Sequence, residues 1–227
     1  MKSTLVRALG RRFVHLSDEA SPDLLADAAL HELIEHCARE LATYGLTLDN
    51  TVRTRLWARS AVDRDVASRE RRDALAGKAR SASSSYIAPG HFQTWGKAAL
   101  DLVALEPARR SSKKTIVEYE PAIVPVRYIV YDGFVFLSGV TVVVPTLEEA
   151  VRQTAALIEG SLRKAGIGWR DVVKIACYLR RDHDFLRMEK LLLRNAPVDH
   201  VSVDFAHVDG YSSAGKHVEI EVTAALR

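Results

Sequence analysis

Apolar residues recur at helical spacing in two stretches of the chain. They fall every three or four positions across residues 25–42 and again across residues 150–165. That spacing places them on one face of an α-helix, so the pattern predicts two amphipathic helices. Each stretch is followed by a glycine, Gly45 or Gly166, the residue type that commonly ends a helix.

The order of elements around these helices occurs twice. A strand-like Phe-Val-x-Leu-Ser segment precedes each helix, at residues 13–17 and 134–138. A strand, a second helix, a short strand and a closing strand are predicted after each one, and both closing strands begin with Gly-Lys. Corresponding segments are about 120 residues apart throughout. This shared spacing indicates a tandem duplication in which each copy reads β-α-β-α-β-β.

The duplication predicts an α+β fold with two domains, each a mixed β-sheet with two helices on one face. We assign residues 1–105 to the first copy, 106–121 to a linker and 122–227 to the second copy. The linker is rich in proline and charge, and we interpret it as a solvated connection. Its basic residues are Arg109, Arg110, Lys113 and Lys114. The helix-free face of each sheet needs cover from the other copy or from another chain.

A tight turn organises the start of the second copy. Pro125 leads a β-rich run that reaches Asp132-Gly133, and a second run continues to Ser138-Gly139. Asp-Gly between two such runs predicts a hairpin. Ser-Gly at a strand end offers a ligand a hydroxyl group and unobstructed backbone N–H groups, although the same glycine also suits an ordinary turn.

Composition narrows the class of protein. The 32 basic and 29 acidic residues give a formal net charge of +3, which does not favour a nucleic-acid partner. Apolar runs are too short to span a bilayer, so we expect no membrane partner. Cys37 and Cys177 lie inside predicted elements and are expected to be buried free thiols in a reducing, cytoplasmic compartment. The histidines lack metal-ligand spacing, and we expect no metal or other cofactor.

Short motifs occur in a characteristic order over the second copy. They are Val124-Pro125, residues 134–139, residues 171–174, Asp184-Phe185, residues 201–204 and Glu219-Ile220-Glu221. The first copy matches more loosely and contains Ala79-Arg80-Ser81. This order resembles the Rid family, also called the YjgF family, of small enamine/imine deaminases. The resemblance implies chorismate-mutase-like domains, a homo-oligomer that is a trimer or another multiple of three domains, and ligand clefts between neighbouring domains.

The resemblance also implies a divided site. In the family an arginine in the Ala-Arg-Ser strand holds the substrate carboxylate, a glutamate in the closing strand positions water, and Ser-Gly completes the cleft. The first copy has the arginine, Arg80, but its first strand ends in Ser17-Asp18. The second copy has Ser-Gly and the glutamate, but His200 stands where the arginine belongs. We therefore predict one composite site in which Arg80 faces Ser138-Gly139 across a domain boundary.

Two sets of candidate residues follow from this prediction. Those for substrate binding are Arg80, Ser138, Gly139 and Tyr128, which lies near the position of a tyrosine in the family pattern. Those for catalysis are Glu219 and Asp101, from matching strands of the two copies. A guanidinium group binds a carboxylate through two parallel hydrogen bonds. A buried carboxyl group with a raised pKa is suited to hold water and shuttle a proton.

The leading functional hypothesis is a Rid-type hydrolase that converts the enamine or imine of a small carboxylate to a keto acid. Chorismatases, which hydrolyse an enol ether, are also built from Rid-like repeats, and an arginine-held carboxylate suits them equally. The incomplete motifs in both copies also suit a non-catalytic oligomeric member that binds a small acid.

Overall fold

The computed structural model describes residues 1–109 and 111–226, so Arg110 of the basic cluster lies outside the described residues. The first half contains β1 (Lys2–Ala8), β2 (Arg11–Glu19), α1 (Ala26–Thr43), β3 (Thr51–Ala58), α2 (Ala61–Ala74), β4 (Ala82–Ile87) and β5 (Ala98–Glu106). The second half contains β6 (Thr115–Val117), β7 (Tyr128–Tyr131), β8 (Phe134–Leu137), α3 (Leu147–Lys164), β9 (Val172–Arg180), α4 (Phe185–Asn195), β10 (Ser202–Val208) and β11 (Val218–Ala225).

The strands form two mixed sheets, one in each half. Their orders are β1-β2-β5-β3-β4 and β10-β9-β11-β8-β7-β6. The strands on either side of the second helix, β3 with β4 and β9 with β10, pair in parallel, as expected when a helix makes the crossover. The predicted α+β architecture of two similar sheets, each with two helices, is confirmed.

Each sheet begins with a hairpin, which the sequence revealed only in the second half. The segment at residues 13–17 indicated one strand at the start of the chain, but a further strand, β1, precedes it and pairs with β2 through the turn at Leu9-Gly10. Both turn residues have positive φ, at 50° and 72°, as do Asp132 and Gly133, at 47° and 86°. Leucine rarely adopts this conformation, so Leu9 gave no indication of the first turn. Residues 115–117 of the expected linker also form a strand, β6, which pairs with β7.

Successive side chains of each strand point alternately to the helix-covered face of the sheet and to the face between the two sheets. In β5, Leu100 and Leu102 pack beneath α1 and α2, whereas Val103 and Leu105 point to the other side. Cys37 and Cys177 are buried and unpaired. Among the described helices none has the length and apolar character to cross a membrane.

The helix-free faces of the two sheets pack against each other. Phe13 meets Phe134 edge to face with ring centroids 5.4 Å apart, and Tyr86 stacks on Tyr178 at 4.3 Å. Such aromatic pairs stabilise by more than the area they bury. Each half therefore covers the sheet face that the other half's helices leave open.

A buried ion-pair network links the two sheets across this contact. Glu221 of β11 is 2% exposed and lies 2.8 Å from Arg55 Nη2 and 3.0 Å from Arg53 Nη1, both from β3. Burial alone raises the pKa of the Glu221 carboxyl, but the two arginines and their hydrogen bonds lower it to about 2. Arg53 also donates to the backbone carbonyl oxygens of Leu137 at 3.0 Å and Val222 at 2.9 Å.

We expect Glu221→Gln to destabilise the fold by roughly 3–5 kcal/mol, because two buried guanidinium groups lose their carboxylate partner. Denaturant unfolding at pH 7 measures the loss. The matched control is Arg187→Gln, which removes an exposed ion pair to Glu148 and is expected to cost less than about 1 kcal/mol. Equal losses in the two variants would contradict the structural role given to Glu221.

Candidate active site

Strand β4 of the first half is attached to the second half near both of its ends. The Ser83 N–H donates to Ser138 Oγ at 3.1 Å, and the Gly139 N–H donates to the Ser83 carbonyl oxygen at 3.2 Å. At the far end, the Ile87 N–H donates to the Gly210 carbonyl oxygen at 2.9 Å. The Ser-Gly segment thus forms a short ladder of one backbone–backbone and one backbone–side-chain hydrogen bond across the boundary between the halves.

A cavity of about 440 Å³ adjoins this ladder and is lined by both halves. The first half contributes two arginines of α2 and a run of serines from β4. The second half contributes one acid, one lysine, a tyrosine and mostly apolar walls. The polar and charged lining residues are Arg64, Ser68, Arg71, Ser83, Ser84, Ser85, Tyr119, Thr141, Ser212, Lys216 and Glu219.

Glu219 is the acid in this cavity, and it is only 5% exposed. Burial, the largest effect, raises the pKa of its carboxyl to about 7, while Lys216 opposes the rise and Glu221 adds to it. The protonated and ionised forms are therefore both present at neutral pH. Two carboxyl groups two residues apart on one face of β11 thus differ in protonation, which is the arrangement expected of an acid–base site.

Gly139 lies directly against this carboxyl group. A Cβ atom at residue 139 would overlap the side chain of Glu219. Glycine is needed here because it leaves room for the carboxyl group.

Arg71 supplies a buried positive charge to the same cavity. It is 7% exposed, and its guanidinium donates to the Ser84 carbonyl oxygen at 2.6 Å and to Ser85 Oγ at 2.8 Å. Burial lowers the pKa of Arg71 to about 10. Within the described residues no carboxylate lies within ion-pair distance of it. A buried cation without an anionic partner is costly, so an anion bound in the cavity would stabilise it.

Arg64 and Lys216 add to the positive lining. Arg64 pairs with Asp65 at the surface, and its buried Nε has no hydrogen-bond partner among the described residues. Lys216 Nζ donates to Ser212 Oγ at 2.6 Å, and burial lowers its pKa. The cavity thus combines three cations with one carboxyl group that is half protonated near pH 7.

His217 holds one wall of the cavity in place. Its Nε2 lies 3.0 Å from the Val144 carbonyl oxygen, and its Nδ1 lies 2.8 Å from His183 Nε2. A carbonyl oxygen only accepts hydrogen bonds, so Nε2 of His217 carries a proton, and in the neutral imidazole Nδ1 then accepts from His183. This chain of hydrogen bonds fixes the start of β11, two residues before Glu219, against residues 140–144.

Three of the residues named from the sequence lie at the junction. Glu219 and Gly139 line the cavity together. Ser138 is fully buried beside them, and its hydroxyl oxygen is occupied by the Ser83 N–H. Ser138 therefore contributes to the attachment of β4 and does not present its hydroxyl to the cavity.

The structure does not bring the other three into this cavity. Arg80 forms an ion pair with Glu118 and lines a smaller adjoining pocket, of about 50 Å³, that shares Arg71 with the main cavity. Asp101 accepts a hydrogen bond from Trp57 Nε1 at 2.8 Å on the inter-sheet face. Tyr128 is buried in the core beneath the second half's helices.

Sequence reasoning missed the two arginines of α2. Arg64 and Arg71 are seven residues apart, two helical turns, and share a buried face with Ala67. Arginines in positions where a helix usually places apolar residues are a readable sign of a buried charge.

Neither a protein-family model nor a curated protein sequence matches this chain. Among solved structures, the chain is similar to a chorismatase, with 18% identity and a TM-score of 0.68 over 98% of this chain and 77% of that one. A YjgF/YER057c/UK114-family protein from Mycobacterium tuberculosis covers 50% of this chain and 100% of its own, with 21% identity and a TM-score of 0.46. A YjgF-family protein from Neisseria meningitidis covers 51% and 96%, with 20% identity and a TM-score of 0.46.

These comparisons concern architecture. The fold is that of two tandem Rid-like domains of the chorismate-mutase-like type, which confirms the resemblance and the fold class inferred from the sequence.

We expect Glu219→Gln to stabilise the protein at alkaline pH. Folding raises the pKa of this carboxyl group from 4.5 to about 7. The stability that the protonated group contributes is fully present below pH 4.5 and is lost as the pH rises through 7, where the buried carboxylate carries a free-energy penalty. A neutral amide removes this penalty, and the variant should gain about 3 kcal/mol at pH 9 and less than about 1 kcal/mol at pH 5. Urea unfolding at both pH values measures it, and a pH-independent difference would contradict the raised pKa.

We expect Gly139→Ala to displace the Glu219 side chain while the fold persists, because the overlapping atoms belong to a flexible side chain. The pH-dependent part of the stability should then shrink, since a displaced carboxyl is better solvated. The matched control is Gly168→Ala, where a Cβ atom meets nothing within 4 Å. An unchanged pH dependence in Gly139→Ala would contradict the close contact with Glu219.

Proposed function

We propose that this chain is a hydrolase of a small carboxylate-bearing molecule and that Glu219 donates a proton to a carbon atom of the substrate. The observation that carries the proposal is a buried carboxyl group with a pKa near 7 in the same cavity as the buried guanidinium of Arg71. A general acid works best when its pKa is close to the working pH.

The leading candidate substrate is an enamine that carries a carboxylate. Arg71 binds the carboxylate group and so orients the carbon–carbon double bond towards Glu219. The Glu219 acid protonates the terminal carbon, which leaves an iminium group at the neighbouring carbon. The ionised Glu219 then accepts a proton from the water that attacks this carbon. Loss of ammonia completes the conversion to a keto acid.

Hydrolysis of an enol ether is the second candidate, because it begins with the same proton transfer to carbon. Protonation gives an oxocarbenium ion, water adds, and the resulting hemiketal releases an alcohol and a keto acid. The three cations of the cavity favour this candidate, since they suit a substrate with a second anionic group. Chorismate has two carboxylates and an enol ether, which makes it the natural probe.

Oligomer and location stay predictions. The resemblance supports a homo-oligomer in multiples of three domains, and the two free thiols support a cytoplasmic location. The proposed partner is the small carboxylate itself.

The test measures pyruvate release from two substrates. One is 2-aminoacrylate, generated from serine by a dehydratase and corrected for its spontaneous hydrolysis, and the other is chorismate. For the active substrate, we expect Glu219→Gln to lower kcat/KM at least about 100-fold, because proton donation is lost. The wild-type kcat/KM should fall as the pH rises above about 7, where Glu219 loses its proton.

Variants of two arginines distinguish Arg71, the carboxylate ligand suggested by the cavity, from Arg80, the ligand expected from the sequence. Arg71→Lys keeps the charge but loses the forked donor, and we expect KM to rise roughly tenfold. Arg80→Lys should change KM less than about threefold, because Arg80 is paired with Glu118. The reverse order would support Arg80 as the carboxylate ligand. If the substrate bound without being converted, and Glu219→Gln left its binding unchanged, the protein would be a non-catalytic acid-binding protein and not a hydrolase.

A further inference from the structure

A second cavity, of about 350 Å³, lies between the two sheets and shares none of its lining residues with the candidate active site. The hairpin of β1 and β2 forms one side, and strands β8 and β9 of the second half contribute the other. Leu9, at the tip of the hairpin, is 61% exposed and marks the mouth of the cavity. The cavity is therefore open to small molecules from solvent.

The walls of this cavity are mostly apolar. Aliphatic side chains come from the hairpin, and aromatic rings come from both halves. The apolar lining residues are Val6, Ala8, Leu9, Phe13, Val103, Phe134, Phe136 and Val173. Burial of an aliphatic or aromatic ligand against them is favourable by about 25 cal/mol per Å² of apolar surface.

Positive charge is concentrated at the polar side of the same cavity. Arg53, Arg55 and Lys174 line it together with His15, and no acidic residue does so among the described residues. Arg53 and Arg55 share the carboxylate of Glu221, and Arg55 also lies opposite Asp101 of β5, but neither acid lines the cavity.

Burial lowers the pKa of His15, and Lys174 and Arg55 lower it further, while Asp101 raises it. Lys174 pairs with Asp204 at 2.8 Å on the half-exposed side of β9. A ligand anion at this side of the cavity would therefore meet cations and, among the described residues, no acidic lining residue.

We propose that this cavity binds an amphipathic monocarboxylate, such as a medium-chain fatty acid, with its carboxylate at Arg55 and Lys174 and its apolar body against Phe13 and Phe134. Apolar walls with a few convergent polar groups are the usual composition of a small-molecule site. The proposal goes beyond the proposed hydrolase activity and does not depend on it.

Isothermal titration calorimetry of the full chain with octanoate tests the proposal. We expect octanoate to bind with a Kd below about 1 mM and both octanol and acetate to bind at least about tenfold more weakly, because each lacks one half of the recognition. The heat-capacity change should be negative, as expected when apolar surface is buried.

Two variants and a control locate the site. Lys174→Gln removes one cation with little structural cost, since its ion pair is half exposed. Leu9→Asp places a carboxylate at the mouth, and aspartate tolerates the positive φ of 50° at that position. We expect each to weaken octanoate binding at least about fivefold. Arg71→Gln, which alters the other cavity, should leave it unchanged.

Three results would overturn the proposal. Octanol could bind as tightly as octanoate, which would leave the cations without a role. Arg71→Gln could abolish octanoate binding, which would place the ligand in the candidate active site. Sedimentation velocity could show a dimer that Leu9→Asp dissociates, with no octanoate binding to either form, and the cavity would then be a contact between copies.

Discussion

The structure depends on one buried carboxylate shared by two arginines across the boundary between the halves. A buried charge is tolerated only with partners in good geometry. Glu221 therefore fixes how β11 of the second half meets β3 of the first. Ser84 Oγ also donates to Glu221 at 2.6 Å, so the same carboxylate positions β4. The candidate active site lies along the edge that this network sets.

Two glutamates on one strand face have opposite protonation behaviour because their surroundings differ. Glu221 has two guanidinium partners, and its pKa falls to about 2. Glu219 is similarly buried but lies against Gly139, in the cavity of Arg71, and has no ion-pair partner among the described residues, and its pKa rises to about 7. A buried carboxyl group thus stays ionised where cationic partners are close, as at Glu221, and titrates near neutral pH where they are not, as at Glu219.

Much of the fold could be predicted from the sequence, since periodicity and a constant spacing of about 120 residues describe whole elements. The junction was also accessible, because the resemblance to the Rid family implies a cleft between domains that contains Ser138-Gly139 and Glu219. The N-terminal turn was not, since a leucine at its first position gives no indication of a positive φ. A sequence motif also does not specify which partner a side chain contacts. Arg80 lies at the expected strand start but pairs with Glu118.

The place of the α2 arginines in the site could not be predicted from the sequence either. Their spacing is that of one helix face, but only the packing of α2 beside β4 places Arg71 in the cavity with Glu219. A site formed by two distant segments depends on how the halves dock. That docking rests on the inter-sheet contacts of the two halves together.

The ladder between Ser83 and Ser138-Gly139 has an evolutionary consequence. In a ring of identical subunits, every boundary repeats the same residues, and a change that helps one strand edge is imposed on its counterpart everywhere. Fusion into one polypeptide releases this identity constraint. Helix α2 and strand β4 can specialise in arginines and serines while the opposing segment specialises in glycine and an acid, so that two equivalent halves become complementary.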